Sequence, residues 1–246
     1  MYLTIQGVVL RVSDYNDHDA LLTVLTRKHG KLTVKARGLR RKNSPLAAVC
    51  QLLAYGEFTV FEYRGQYTIN EAHSIELFSP LRRSLTKLSL ATYFAQASEM
   101  LSQEDLPNPE LLSLLLNSLY LISEQKAPLP HIKAVYELRL CSECGFLPQL
   151  LCCKGCGLYD GKDFYLDLQE GTLWCADCAA KAGKTPNLDP GALYAVRHIC
   201  LAEDKKVFSF RISEASGRRL AAVAERYALL HLDGTPKSYA FLKSVL

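Results

Sequence analysis

The chain has 246 residues, of which 49% are hydrophobic and 22% charged, with a formal net charge of +4. This composition excludes a disordered or low-complexity chain and suits a folded soluble protein with two domains, or one domain with a small insert. The longest apolar helical run, Leu111 to Ile122, is too short and too polar to span a bilayer, and the opening MYLTIQGVVLRV lacks the basic start and cleavage site of a signal peptide, so a cytoplasmic protein is expected.

The first 78 or so residues read as all-β. Candidate strands are Thr4–Val12, Ala20–Arg27, Lys31–Arg37, Glu57–Tyr63 and Tyr67–Ser74. Turn signals separate them at Asp14-Tyr15-Asn16-Asp17, His29-Gly30 and Arg64-Gly65. Five short strands with a Gly-punctuated hairpin fit a small closed barrel, and an OB-fold is the natural candidate. Leu46–Leu53 reads as a short helix or turn. Tyr55, Phe58, Phe61, Tyr63 and Tyr67 are candidates for base stacking, with barrel core the expectation for Phe58 and Phe61.

One stretch of this unit stands out. From Arg27 to Lys42, RKHGKLTVKARGLRRK, eight of sixteen residues are Lys or Arg. No Asp or Glu occurs between Asp19 and Glu57, so nothing nearby is expected to neutralise them. Lys31, Thr33, Lys35 and Arg37 alternate with Leu32, Val34 and Ala36, which in a strand puts the polar set on one face and the apolar set in the core. Gly38 breaks the run, and Arg40, Arg41 and Lys42 follow on a loop ending near Ser44-Pro45. A basic sheet face beside a basic loop suits a phosphate backbone better than it suits mere solvation.

At Pro80 the period becomes helical. Leu81, Leu85, Leu88, Tyr93 or Phe94, and Leu101 recur at three to five residues. Pro107 and Pro109 close that helix and open the next, Glu110 to about Glu124. A third helix follows Pro130. Later helices cover Pro190–Glu203, Glu214–Leu232 and Lys237–Leu246, with Ser213 as an N-cap and Pro236 starting the last. Arg82, Arg83, Arg218 and Arg219 extend the basic surface or are solvated. The expected division is residues 1–79 as barrel, 80–147 and 181–246 as helical domain, and 148–180 as an insert within it.

That insert carries the sharpest short motif. Of nine cysteines, seven fall between Cys141 and Cys178, and an odd total in a cytosolic chain points to metal ligation rather than cross-links. Cys153-Lys-Gly-Cys156 and Cys175-Ala-Asp-Cys178 are separated by eighteen residues, a spacing that places four thiolates around one tetrahedral ion such as Zn²⁺. Between them Asp163–Leu168 and Thr172–Trp174 read as two short strands around Glu170-Gly171. Cys152 is an alternative to Cys153. Cys141 and Cys144, also spaced C-x-x-C, close a predicted helix, where packing or a rearranged site are the two readings. Cys50 and Cys200 are expected in the core. Four thiolates leave no open position for substrate, so a structural ion is expected, with a redox switch as the lesser alternative.

No phosphate-binding lysine loop, G-x-S-x-G, H-E-x-x-H or dinucleotide glycine fingerprint occurs, and the six histidines are scattered. His18, between Asp17 and Asp19, reads as part of a polar turn. These absences argue for binding without bond-making chemistry. An RNA-binding or translation-associated zinc-ribbon protein is the alternative, and a metal-dependent nuclease or deaminase would need an acidic cluster or an open zinc site that the sequence does not display.

Several segments together resemble the RecO family of bacterial recombination mediators: Gly7-Val-Val-Leu-Arg11, Asp19-Ala-Leu-Leu-Thr23, Thr26-Arg-Lys-His-Gly30, Ala36-Arg-Gly38, Phe78-Ser-Pro-Leu81, Glu137-Leu-Arg-Leu140, Gly145-Phe-Leu-Pro148, Cys153-x-x-Cys156-Gly157 and the closing Tyr227 to Leu242. They cover nearly the full length in order. The resemblance implies an α+β multidomain protein with an amino-terminal OB-fold, a helical domain and a zinc-binding insert held by Cys153, Cys156, Cys175 and Cys178. It implies binding of single- and double-stranded DNA, annealing of complementary strands, partnership with RecR and with the acidic, hydrophobic tail of single-stranded-DNA-binding protein, and help to RecA in displacing that protein. The phosphate contacts are then expected at Arg27, Lys31, Lys35, Arg37, Arg40, Arg41 and Lys42. Some members of the family lack the four cysteines, whereas Cys141, Cys144 and Cys152 match no ligand position of the family.

Overall fold

The computed structural model describes residues Met1–Leu246, which form two compact units: residues 1–126 with 236–246, and residues 127–235. The first unit opens with five strands, β1 (Tyr2–Tyr15), β2 (Asp19–Thr26), β3 (Lys31–Ala36), β4 (Tyr55–Tyr63) and β5 (Gln66–Glu76), closed into a barrel in the order β1-β2-β3-β5-β4. All pairings are antiparallel except β3 with β5. This matches the OB-fold expected from the sequence.

Closure depends on β1 serving two neighbours. Its first half pairs with β4 from Tyr2↔Phe61 to Val8↔Tyr55, and its second half pairs with β2 from Gly7↔Thr26 to Tyr15↔Asp19. The strand turns from one neighbour to the other at Gly7. A Cβ there would stand 2.5 Å from the Leu25 carbonyl oxygen, so only glycine lets β2 approach. Alternation then fills the barrel: Ile5, Val9, Leu22, Val24, Leu32, Val34, Phe58 and Val60 point inward and are buried. Residues 46–53 form turns rather than a helix, and Leu46, Val49 and Cys50 plug the barrel core from that loop.

Three helices complete the first unit: α1 (Leu85–Leu101), α2 (Pro109–Ser123) and α7 (Lys237–Val245), the last packing on α1. The run after Pro80 does not enter α1 directly. It forms a separate 3₁₀ turn over Ser79–Arg83, and Ser84 is extended and accepts from the Lys87 backbone N–H as N-cap. Gln96 on α1 accepts from the Ser238 backbone N–H and hydroxyl at 2.9 and 2.7 Å, which fixes the start of α7.

The second unit is built on α3 (Leu129–Glu143), with every residue from Ile132 to Cys141 buried. α5 (Pro190–Leu201) and α6 (Glu214–His231) pack against it. Ser213 caps α6 as expected, accepting from the Ser216 N–H at 3.2 Å. The two short strands are β6 (Phe164–Asp167) and β7 (Thr172–Cys175), followed by a six-residue helix, α4 (Ala176–Lys181), that the sequence reading did not anticipate. Phe164, Leu166, Leu173, Cys153 and Cys175 share one core with Val135, Leu138, Val196, Val223 and Tyr227, so the ribbon and the helices of this unit fold on common apolar side chains. By contacts, then, the helices divide: α1, α2 and α7 go with the barrel, while α3, α5 and α6 go with the ribbon. The boundary at Lys126/Ala127 precedes Pro128 and Pro130, and α7 returns to α1 because Tyr239 rests against Tyr93, with ring centroids 5.9 Å apart.

Candidate nucleic-acid interface and metal centre

The alternation in β3 is as expected. Leu32, Val34 and Ala36 are buried, while Lys31, Thr33, Lys35 and Arg37 lie outward. What those outward cations meet differs among them. Lys35 Nζ lies 2.9 Å from Asp19 Oδ2 and 4.6 Å from the centre of the Tyr15 ring. Arg40 Nη1 lies 3.3 Å from Asp14 Oδ2. The expectation that no acid offsets the basic stretch is therefore corrected: the offsetting carboxylates come from β1 and the start of β2. The register Ala20↔Ala36 sets Asp19 beside the end of β3, a proximity invisible along the chain.

Asp19 also accepts the Gly38 backbone N–H at 2.8 Å. That bond and the Lys35 ammonium hold its carboxyl below the usual carboxylate range, with Arg37 adding to the effect. Lys31 is committed elsewhere: its ammonium donates to the Glu99 carbonyl at 2.9 Å, in the last turn of α1, where a cation complements the helix dipole. Arg27, Arg37, Arg41 and Lys42 are exposed and form no ion pair.

Arg37 and Arg41 border an open recess of about 590 Å³ on the barrel wall, shared with Tyr2, Phe61, Thr68 and Asn70. Phe61 was expected in the core; it is 41% exposed, whereas Phe58 is fully buried. The pairing Tyr2↔Phe61 explains this, because it puts Phe61 in phase with the outward residues of β1. Arg27, Lys28 and His29, at the turn between β2 and β3, border a second recess of about 210 Å³ with Gln6 and Glu57. Of the other arginines weighed from sequence, three have partners within the chain, while Arg83 is exposed and forms no ion pair. Arg82 donates to the Leu77 and Leu52 carbonyls, each at 2.8 Å; Arg218 pairs with Glu214; Arg219 lies 3.5 Å from Asp163. Sequence reasoning missed Tyr2, whose place at the recess depends on cross-strand register, and the two neutralising aspartates.

In the second unit, Cys153, Cys156, Cys175 and Cys178 converge, their Sγ atoms all within 4.8 Å of one another, and could hold a metal ion. A tetrahedral ion with thiolate bonds of about 2.3 Å sets its sulfurs about 3.8 Å apart. Cys156 Sγ and Cys175 Sγ are 3.6 Å apart. The knuckle is shaped for this approach: a Cβ at Gly155 would sit 3.1 Å from Cys178 Sγ. Burial acts to raise the Cys153 thiol, but backbone N–H groups of Cys175, Cys156 and Gly155 aimed at its sulfur outweigh it and bring it down to about 6. Those donors stabilise a thiolate at the place where a ligand thiolate is needed. Cys152 lies outside the group, as do Cys141 and Cys144, which end α3. Burial pushes the Cys144 thiol up to about 12 and Cys141 higher still, and it is their place outside the four-sulfur group that sets both apart from the ligands. Cys50 and Cys200 are buried, as expected. His18 is exposed and in no such cluster.

Comparison with known proteins finds two family models that together span most of the chain. The family model described as Recombination protein O N terminal matches residues 1–78, and that described as Recombination protein O C terminal matches residues 82–240. The chain is 30% identical over 245 residues to the DNA repair protein RecO of Acetivibrio thermocellus, covering 99% of this chain and 97% of that one. It is 32% identical over 197 residues to the RecO protein of Bacillus pumilus, covering 80% and 76%. Against that of Bacillus subtilis it is 28% identical over 222 residues, covering 90% and 86%.

Proposed function

This chain belongs to the RecO family of DNA repair and recombination proteins, and from that premise we propose that it is a recombination mediator working by binding alone. It binds single- and double-stranded DNA, anneals complementary strands and, with RecR, helps load RecA onto strands coated by single-stranded-DNA-binding protein. The observation that carries this reading is the set of unpaired cations on and beside the barrel wall, with Arg37 and Arg41 lining an open recess and Lys42 exposed next to Arg41.

Strands brought to a common basic surface repel each other less, so pairing becomes easier without any bond being made or broken. Arg27 extends the contact at the far end of the barrel. Lys35 and Arg40 stay paired with Asp19 and Asp14, and Lys31 holds α1, so these three stand beside the phosphate contacts rather than among them. No helix of the chain is long and apolar enough to cross a membrane, and the reading places the protein in the cytoplasm with the nucleoid. Functionally, residues 1–79 grip DNA. The helices of 80–147 and 181–246 offer surfaces for RecR and for the tail of single-stranded-DNA-binding protein.

The insert, residues 148–180, holds one Zn²⁺ through Cys153, Cys156, Cys175 and Cys178. The ion supplies cross-linking only, since four thiolates close its shell, and much of the folding free energy of the ribbon comes from it. Gly155 gives the room and the amide donors at Cys153 hold the charge.

The test is an annealing assay on complementary strands precoated with single-stranded-DNA-binding protein. Annealing by this chain that rises on adding RecR supports the reading. Tighter binding to competitor RNA than to DNA, with no annealing, would favour the translation-associated alternative.

A further inference from the structure

We infer that Tyr2 and Phe61 form a base-stacking platform that makes the barrel wall prefer single-stranded over duplex DNA; this rests on the reading that the wall binds DNA. The two rings come from different strands and pack together, centroids 5.2 Å apart and planes tilted by 57°, yet Tyr2 remains 62% and Phe61 41% exposed. Exposed rings scattered singly over a surface are ordinary. Here two are joined, and they share their recess with two unpaired arginines.

Other exposed rings on the barrel are covered by cations of the chain itself: Lys35 lies over Tyr15 and Arg64 over Tyr63. Tyr2 and Phe61 have no such cover. What each ring leaves exposed beside the other is available to a π-system from outside.

The register shows how a strand would lie. Tyr2 pairs with Phe61, Phe61 with Thr68, and Thr68 with Lys35, so one row of side chains crosses β1, β4, β5 and β3. At about 4.8 Å per strand the row is about 14 Å long, with rings at one end and cations at the other. Arg37 stands two residues beyond Lys35, and Arg41 joins it at the recess. Bases over the rings thus leave their phosphates toward the arginines. A duplex buries its base faces in its own stack and offers the rings nothing, whereas an unpaired strand does.

The experiment compares F61A and Y2A with the unaltered chain, reading affinity for a dT oligonucleotide and for a hairpin duplex across a salt series. Both rings are exposed, so folding should persist; F61L, which keeps apolar bulk without the ring, controls for packing. The inference predicts that F61A weakens dT binding by roughly tenfold, leaves duplex binding within about twofold and leaves the salt slope unchanged, with F61L close to F61A. Equal losses on both DNAs, or dT binding unchanged in both alanine variants, would overturn it. If the unaltered chain bound neither DNA, the reading of the wall itself would fail instead.

Discussion

Asp19 shows how a single acid can organise a basic surface. Its two oxygens hold the Gly38 N–H and the Lys35 ammonium, so it fixes the start of the loop that carries Arg40, Arg41 and Lys42 while offsetting one cation of β3. Because its carboxyl is held below the ordinary value, the stabilisation it gives is present above about pH 4 and is lost as pH falls through the lowered folded value. D19N is expected to flatten that acid limb in a melting-temperature series from pH 5 to pH 2. At pH 7 it should steepen the salt dependence of DNA binding by about 0.7 in log–log slope, since Lys35 is freed to meet a phosphate. An unaltered acid limb together with an unaltered slope would show that Asp19 does neither job. The residue identities of this face were legible in the sequence, since the alternation of β3 was correctly read. Which cations are free was not, because neutralisation is decided across strands: Asp19 and Asp14 reach Lys35 and Arg40 only through strand register and turn geometry.

At the scale of elements, periodicity carried most of the fold. All five barrel strands, both ribbon strands and the six longer helices lie within a few residues of their expected places. The misses have local physical causes. The segment over Ser79–Arg83 makes a 3₁₀ turn because Ser84 leaves the helical region to cap α1. The short α4 follows the second cysteine knuckle, too brief to leave a periodic signal. The Glu137-Leu-Arg-Leu140 segment proves to be a pinning device. Lys133 meets Glu137 and Glu225, each at 2.7 Å, tying α3 to α6, while Arg139 meets Glu143 and Asp204 and donates to the Ile199 and Cys200 carbonyls at the end of α5. The ligand choice left open by the adjacent cysteines belongs to this scale too, since only Cys153 joins the cluster with Cys156, Cys175 and Cys178. In a single Cys→Ser series, C153S, C156S, C175S and C178S should each lose most of one equivalent of bound zinc by bulk metal analysis. C152S and C144S should keep it. Retention of the metal in C153S with loss in C152S would overturn this assignment.

For the whole molecule, charge is placed rather than spread. The stretch from Arg27 to Lys42 carries +8 against a whole-chain +4, which leaves the remaining residues at a net −4. An excess of that kind steers a polyanion to one wall and away from the rest of the surface. The ribbon and helices of the second unit share one apolar core that includes Cys153 and Cys175. The most direct test of this arrangement is the salt dependence of single-strand binding by R37E/R41E, compared with R218E/R219E, whose arginines already face Glu214 and Asp163. The log–log slope of R37E/R41E should fall in magnitude by about 1.4, two phosphate contacts at about 0.7 each, and that of R218E/R219E should not change. Equal slopes for the unaltered chain and R37E/R41E would contradict the claim that this wall is where DNA is held.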